Sequence, residues 1–251
     1  MRIVSVNLNQ RLGNASVRAR VEAWLQVVDP DLFLSQEPFK PQSADERPQL
    51  AGYKLMATSP LISSWVADKY AAAAVLHRSE RWHEISAGAL AVHNVYLSPY
   101  SSRERREMLV QIAAEVGRAG RHADIVVGDF NLAPRPADGR VGDGVSNVTR
   151  LGERKAFATL LKSGSLYDST CPEAENPTEM TFERFRNNSW SRFRCDLALL
   201  SHSLRRSTAV TCDHSVRNGG HAFTDHSAII VDCQIAHGPG INASASTGSG
   251  A

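Results

Sequence analysis

Apolar residues at two different spacings open the chain and predict a strand, a helix and a second strand. Short apolar runs at residues 3–6 and 32–34 are typical of buried strands. Between them, apolar residues recur at helical spacing. These are Val17, Val21, Trp24, Leu25 and Val28. Ser16 is placed to cap this helix, and Asp29-Pro30 to end it.

The rest of the chain alternates short apolar runs with two further helical patterns. Consecutive antiparallel strands are predicted at residues 53–57, 61–67, 71–77 and 90–97. Helices are predicted over residues 101–118 and near 153–161, a buried strand at 124–128, and a Gly- and Asp-rich loop at 134–147. Late strands are predicted at residues 194–200, 207–212 and 227–234. This mixture predicts an α/β sandwich, in which two sheets pack face to face with helices outside.

The length of 251 residues is compatible with one large α/β domain or two small ones. The pattern contains no internal linker and no repeat, so we predict a single domain over residues 1–235. Residues 236–251 are rich in Gly, Ser and Ala and are predicted to form a flexible tail.

Charge and cysteine content say more about the cellular environment of the protein than about its function. The formal net charge is +2, so a preference for nucleic acid would have to come from local clusters of arginine. The 4 cysteines form no Cys-x-x-Cys pair, which argues against a structural zinc site and favours a reducing compartment. The chain opens with a strand pattern rather than a secretion signal, and no apolar run approaches the length of a membrane span. We therefore expect a cytoplasmic monomer that crosses no membrane.

Polar side chains with catalytic or metal-binding chemistry lie where the apolar strands begin or end. They are Asn7 and Asn9, Glu37, Asp129 and Asn131, Asp196, and Asp225 with His226. Strand ends are rigid and the loops beyond them open to solvent, so functional groups collect there. The pattern predicts that these residues converge on one site.

Each of these residues has an ordinary structural interpretation when taken alone. Gly128-Asp129 is compatible with a simple turn after a strand, and His226 with a hydrogen-bonded core histidine. Asp196 is harder to explain in this way, because it lies in an apolar strand and a buried carboxylate needs a partner. Only the combination points to catalysis.

In chain order, the motifs resemble those of the endonuclease/exonuclease/phosphatase superfamily, and most closely its exonuclease III and AP-endonuclease branch. They are Ser5-Val6-Asn7-Leu8-Asn9, Ser35-Gln36-Glu37, Tyr96, Gly128-Asp129-Phe130-Asn131, Arg194-Cys195-Asp196-Leu197 with the run to Leu204, and Asp225-His226-Ser227. The resemblance extends over nearly all of residues 1–234. It implies the four-layer α/β/β/α sandwich of the DNase I type and a hydrolase that acts on phosphate esters.

The resemblance also implies a divalent metal site. Glu37 would be the main ligand of Mg²⁺, with Mn²⁺ as a substitute, and Asn9 would lie near the metal. Asp225 would support either the metal or His226. Mg²⁺ is a hard cation that prefers carboxylate oxygen, which agrees with these residue types.

The remaining roles implied by the resemblance concern the water and the phosphate. Asp129 would orient and deprotonate the attacking water, and Asn131 would help to hold it. His226 would contact the scissile phosphate, with its ring fixed by Asp196. The remaining phosphate contacts would be Asn7 and Tyr96.

Residues 180–194 interleave aromatic side chains with arginines, a mixture that can stack on bases or sugars and neutralise phosphates. The resemblance places Phe182 and Phe193 in a pocket for a baseless sugar. Arg186, Trp190 and, at the start of a helix, Arg103 are further candidates for substrate binding. The ordinary alternative is an amphipathic hairpin and a helix face with solvated arginines.

Three hypotheses about function follow. The leading one is a Mg²⁺-dependent nuclease that acts on DNA, with abasic sites as a candidate target and DNA repair as its role. The second keeps the same machinery but acts on a nucleotide or another small phosphate ester. The third is a catalytically inactive module that binds nucleic acid. Departures from the AP-endonuclease pattern, such as Ser98 after Tyr96-Leu97 and Cys195 before Asp196, leave the substrate open.

Overall fold

The described chain is organised by two six-stranded sheets and one four-stranded sheet. The computed structural model describes residues 1–40, 49–70, 73–118, 123–142, 144–145, 149–170, 179–220 and 222–234. The predicted tail at residues 236–251 and part of the loop predicted at 134–147 lie outside this range. The helices are α1 (Ala15–Val28), α2 (Ser102–Val116) and α3 (Leu151–Ser163). No helix in these described ranges is long and apolar enough to cross a membrane.

Each sheet combines strands from distant parts of the chain. The first has the order β15 (Thr208–Asp213), β16 (Ala228–Cys233), β1 (Arg2–Asn7), β2 (Leu32–Gln36), β4 (Ile62–Ala67), β3 (Tyr53–Thr58). The second has the order β11 (Leu166–Asp168), β14 (Asp196–Ser201), β8 (Ile125–Asp129), β7 (Leu90–Tyr96), β6 (Trp82–Ala87), β5 (Ala73–Arg78). The small sheet has the order β10 (Gly144–Val145), β9 (Gly139–Val141), β13 (Ser189–Phe193), β12 (Phe182–Arg186).

Three apolar cores separate four layers, because successive residues of a buried strand face opposite sides of its sheet. Ile3 packs between the two large sheets, against residues such as Ile125 and Ala198, whereas Val4 packs beneath α1. The other outer core joins α2 and α3 to the second sheet. The predicted α/β/β/α sandwich is therefore confirmed.

The first helix begins two residues earlier than the sequence predicted. Its cap is Asn14, whose side-chain oxygen accepts hydrogen bonds from the backbone N–H groups of Ser16 and Val17. The prediction of Ser16 as the cap was wrong. Asn and Ser are about equally good caps, so sequence alone did not separate them.

Several short strands escaped the sequence analysis. Strand β6 is buried but contains His83 and Glu84, which interrupt an apolar pattern. His83 is accommodated because its Nδ1 lies 3.1 Å from the hydroxyl of Ser64 on the facing sheet. The predicted loop at 134–147 contains a 3₁₀ turn, Pro136–Asp138, and strands β9 and β10. Strand β9 pairs with β13 of the β12–β13 hairpin, and β10 pairs with β9. Local sequence does not report these tertiary contacts.

Two parallel strand pairs bring four strand ends towards one rim of the sandwich. β1 and β2 are parallel neighbours in the first sheet, as are β7 and β8 in the second. The ends of β2 and β7 are connected across the sheets, because Gln36 donates a 2.7 Å hydrogen bond to the side-chain oxygen of Asn94. Residues that follow these strands are thereby held close together.

A buried ionic cluster anchors the segment that leads into β14. The Arg194 side chain lies 2.7 Å from Asp138 and 2.8 Å from Asp168, and its hydrogen bond to Thr170 measures 3.0 Å. Burial alone would raise the pKa of Asp138, but hydrogen bonds from Arg194 and Arg135 hold that pKa below its usual range. Through Asp138 and Asp168, the cluster connects the 3₁₀ turn and β11 to Arg194, which lies two positions before Asp196.

We expect Arg194→Leu to destabilise the protein by about 3–5 kcal/mol, because it removes the buried guanidinium that pairs with both Asp138 and Asp168. Urea unfolding followed by circular dichroism measures the change. Lys69→Gln, which removes an exposed ion pair with Asp29, is the control and should cost no more than about 1 kcal/mol. Equal effects of the two substitutions would contradict this account of the cluster.

Candidate active site

Asp129 lies at the end of β8 and, like Asp196, has only 1% of its surface exposed. Its Oδ2 accepts hydrogen bonds from the side-chain amides of Asn7 at 2.9 Å and Asn131 at 3.0 Å. Its Oδ1 accepts from the backbone N–H of Asn131 at 2.8 Å. Burial and the neighbouring carboxylate of Asp196 raise the pKa of Asp129, while His226 and these hydrogen bonds oppose the rise. Asp129 is thus held in one orientation and biased towards accepting a proton.

His226 and Asp196 form a second buried pair beside Asp129. The Nδ1 of His226 lies 3.1 and 3.0 Å from the two carboxylate oxygens of Asp196, so Nδ1–H donates and Nε2 remains for another partner. Asp196 is the direct cross-strand neighbour of Asp129, because β14 pairs antiparallel with β8. Burial lowers the pKa of His226, but the nearby carboxylates, above all Asp196, outweigh it and raise that pKa.

Glu37, Asn9 and Asp225 form a chain of contacts on the same rim. The Tyr96 hydroxyl donates a short hydrogen bond to Glu37. The backbone N–H of Gln10 donates to the Glu37 carbonyl at 2.6 Å, and the Asn9 amide donates to Asp225 at 3.0 Å. Burial, with the charges of Asp129 and Glu37, raises the pKa of Tyr96, so its phenol remains a proton donor.

Left-handed backbone conformations cluster in these loops. Asn9, Gln10, Glu37 and Asn131 have φ angles of 48°, 59°, 43° and 47°. A residue with a side chain loses about 1–2 kcal/mol in this conformation, which persists only where surrounding contacts hold it. Such strain is typical of loops that aim side chains at a functional site.

Two different sets of metal-binding atoms occur at the rim. Glu37, Asn9 and Asp225 offer oxygen atoms, the donor type that suits a hard divalent cation. Asp129, Cys195 and His226 form a buried group whose ligand atoms all lie within 4.8 Å of one another. The donor chemistry of the first set fits the metal that the sequence analysis expected.

An apolar cavity of about 340 Å³ opens beside His226. Its lining is Pro99, Asn131, Leu132, Ala133, Val141, Phe182, Ser191, Phe193, Cys195 and His226. The ring of Phe182 lies 4.8 Å from that of His226 and 6.2 Å from that of Phe193, between ring centroids. Phe182 and Phe193 therefore line the same cavity as the predicted site residues Asn131 and His226.

The other predicted substrate contacts lie apart from this cavity. Trp190 is 42% exposed and stacks on Phe185, its cross-strand partner. It faces the side of the β12–β13 hairpin opposite to Phe182, because side chains alternate along a strand. Arg186 lies on the Phe182 side at the exposed end of β12. Arg103 is exposed on α2 and pairs with Glu107 at 2.7 Å.

Sequence reasoning missed residues that hold the site together. The buried hydroxyl of Thr181 accepts hydrogen bonds from the backbone N–H groups of Cys195 and Asp196, at 3.1 and 3.0 Å. The hydroxyl of Thr224 donates to the Asn7 carbonyl at 2.6 Å. Thr181 and Cys195 flank predicted site residues in the chain, and that adjacency was the available signal.

This fold and rim define a hydrolase of phosphate esters with the α/β/β/α architecture. The chain belongs to the endonuclease/exonuclease/phosphatase family, whose model matches residues 4–226. The resemblance inferred from the motifs is therefore confirmed. Comparison with curated proteins gives no match.

Solved structures of nucleases share the fold. An AP endonuclease from Archaeoglobus fulgidus superposes with a TM-score of 0.73 at 16% identity, covering 94% of this chain and 100% of the other. A 3′-5′ exonuclease from Neisseria meningitidis gives a TM-score of 0.70 at 19% identity, covering 93% and 99%. A Neisseria 3′ phosphatase bound to a product DNA hairpin gives 0.68 at 18% identity, covering 94% and 100%. At these identities the likeness establishes the architecture alone.

We expect Asp196→Asn to lower the pKa of His226, because it removes the main charge that opposes the effect of burial. NMR titration of the imidazole in metal-free protein, with signals assigned through His226→Gln, measures the shift. Asp232→Asn is the control, since Asp232 pairs with Arg2 near the other end of β16. A His226 pKa that stays the same in Asp196→Asn would contradict the pairing.

Proposed function

We propose that the protein is a divalent-metal-dependent nuclease that hydrolyses phosphodiester bonds in DNA, with abasic sites as the preferred target. The observation that carries the proposal is the convergence of Asp129, His226 and Glu37 on one rim beside an apolar cavity. Each step below follows from these contacts.

Asp129 acts as the general base. Its carboxylate accepts the proton of a water molecule as the water oxygen attacks phosphorus, and the bond to the leaving oxygen breaks on the opposite side. Asn7 and Asn131 hold the carboxylate so that it does not rotate away. The raised pKa brings the base closer to neutral pH, where proton transfer is most effective.

His226 stabilises the negative charge that develops on the phosphate. With Nδ1–H committed to Asp196, the protonated Nε2–H is the group that donates to a phosphate oxygen. The Asp196 carboxylate keeps the imidazolium charged inside the protein, where a charge is worth more than in water. The side-chain amide of Asn7, which uses one N–H for Asp129, offers its second N–H to the phosphate. Tyr96 acts next to the phosphate through Glu37, to which its single hydroxyl proton is donated.

Glu37, Asn9 and Asp225 are the residues that would hold the metal. A Mg²⁺ or Mn²⁺ ion held by these residues would supply positive charge to offset that of the phosphate oxygens. The hydrogen bond from Tyr96 fixes the Glu37 carboxylate, and the contact of Asn9 with Asp225 joins the other two ligands.

The cavity supports abasic DNA as the substrate. Phe182 and Phe193 offer apolar faces to a sugar without its base, and His226 at the cavity wall lies next to the adjoining phosphate. Among proteins of this architecture, one is described as an AP endonuclease and another as bound to a product DNA hairpin. Arg186, on the same side of the hairpin as Phe182, is placed to neutralise a flanking phosphate.

We expect Asp129→Asn to reduce kcat at least about 100-fold, because the amide cannot accept the proton of the water. His226→Gln should produce a comparable loss, because it removes the charged donor. The assay follows cleavage of a duplex with one abasic site in the presence of Mg²⁺ or Mn²⁺. Turnover that survives either substitution would rule out the mechanism.

A small phosphate ester is the second candidate substrate. It is favoured by a net charge of only +2 and by the pairing of Arg103 with Glu107, which reduces the charge offered to a DNA backbone. Nucleotides and other phosphomonoesters belong in the same assay. Turnover of these alone identifies the alternative, and DNA binding without any turnover identifies an inactive binding module.

We expect Phe193→Ala to lower kcat/KM for the abasic duplex by about 10- to 100-fold, since an aromatic contact contributes about 1–3 kcal/mol. Trp190→Ala is the matched control, because it removes an aromatic residue from the other face of the same hairpin and should have a smaller effect. Equal losses would instead support Trp190 as a substrate contact and remove the cavity from the proposal.

A further inference from the structure

Cys195 is a thiol inside the catalytic cluster. It immediately precedes Asp196, and its sulfur lies 3.7 Å from an Asp196 carboxylate oxygen. Its sulfur, a carboxylate oxygen of Asp129 and a ring nitrogen of His226 all lie within 4.8 Å of one another. Cysteine, histidine and aspartate thus converge at one point.

Two members of this group, Cys195 and His226, line the apolar cavity, and Asp129 lies behind them with 1% of its surface exposed. The backbone N–H of Cys195 is held by Thr181, so the sulfur is presented from a rigid strand end. The Nδ1 of His226 is occupied by Asp196, which orients the ring and leaves Nε2 as the ligand atom. The geometry is therefore that of a partly assembled site with a path of entry.

The donor set selects a different cation from the oxygen ligands around Glu37. Thiolate and imidazole prefer Zn²⁺ and related soft or borderline ions, whereas Mg²⁺ prefers oxygen and retains its water. Three protein ligands with an open fourth position form an ordinary tetrahedral zinc site. Ligand atoms in such a site lie roughly 3.3–3.7 Å apart, so adjustments of up to about 1.5 Å complete it.

We propose that Asp129, Cys195 and His226 form an inhibitory site for thiophilic divalent cations such as Zn²⁺ and Cd²⁺, distinct from the oxygen ligands at Glu37. Binding releases the thiol proton and any proton on His226 Nε2 to solvent, and forms metal–sulfur, metal–nitrogen and metal–oxygen bonds. The inhibitory part rests on the proposed function. In the proposed function, Asp129 is the general base and His226 donates to the phosphate. A cation bound to both residues therefore blocks catalysis.

The test begins with the full chain stripped of bound metal and then supplied with excess Mg²⁺. Cd²⁺ is titrated into this sample, and the ultraviolet charge-transfer band of a cadmium thiolate is measured. The combined variant with Cys171→Ser, Cys212→Ser and Cys233→Ser retains Cys195 as its single thiol and should keep the band with a stoichiometry of one. Cys195→Ser, which keeps the other cysteines, should lose it. Zn²⁺ should compete with Cd²⁺ and remove the band.

Further variants locate the site and separate it from that of Mg²⁺. Asp129→Asn and His226→Gln should each weaken Cd²⁺ binding at least about tenfold. Glu37→Gln should leave Cd²⁺ binding unchanged. Thermal unfolding of each variant establishes that it is folded, and Cys195→Val provides a second test if Cys195→Ser is not. A band that persists without Cys195, or that is absent from the single-thiol variant, overturns the site.

Activity gives a separate readout. In the DNA assay with Mg²⁺, Zn²⁺ should inhibit the wild-type chain. The Zn²⁺ concentration that halves the rate should be at least about tenfold higher for Cys195→Ser, with each chain compared with its own rate in Mg²⁺ without Zn²⁺. A chain that binds Cd²⁺ through Cys195 but cleaves no phosphate ester would refute the proposed function and leave the site standing. Cleavage without the cadmium band would refute the site and leave the function standing.

Discussion

The hydrogen bond from Asn7 to Asp129 is the contact on which the site depends, because it joins the ends of strands from different sheets. Asn7 ends β1 in the first sheet and Asp129 ends β8 in the second, and the side chains meet at 2.9 Å. A buried carboxylate is costly unless it is hydrogen-bonded, so the amide both stabilises Asp129 and orients it. The same hydrogen bond therefore constrains both the packing of the two sheets and the position of Asp129 at their rim.

The same rule explains the other polar groups of the interior. Asp196 is paired with His226, Asp138 with Arg194, and Gln36 with Asn94 across the sheet interface. These pairs do different work, since the first is part of the site and the second anchors the chain that leads to it. Hydrogen bonds and ion pairs between buried polar residues thus fix the orientation of the side chains at the rim.

Much of the fold and site was accessible from local sequence. Apolar runs located β1, β2 and β8, and the polar residues that follow them proved to be the members of the rim. The analysis failed where tertiary pairing overrode local pattern. Strand β6 is buried despite His83 and Glu84, and β9 forms because the β12–β13 hairpin pairs with it, with β10 added on its other side. Asn14 displaced Ser16 as a cap because their intrinsic preferences are nearly equal.

The sequence by itself determined the residue types of the candidate site and their order, since strand ends and motif spacing are local properties of the chain. Only the tertiary structure decided which of these residues touch. It placed Trp190 away from Phe182, although both belong to one hairpin, because side chains alternate across a strand. It also brought Cys195 within reach of Asp129 and His226, a neighbourhood that forms only when β8 and β14 pair and β16 closes the first sheet beside them.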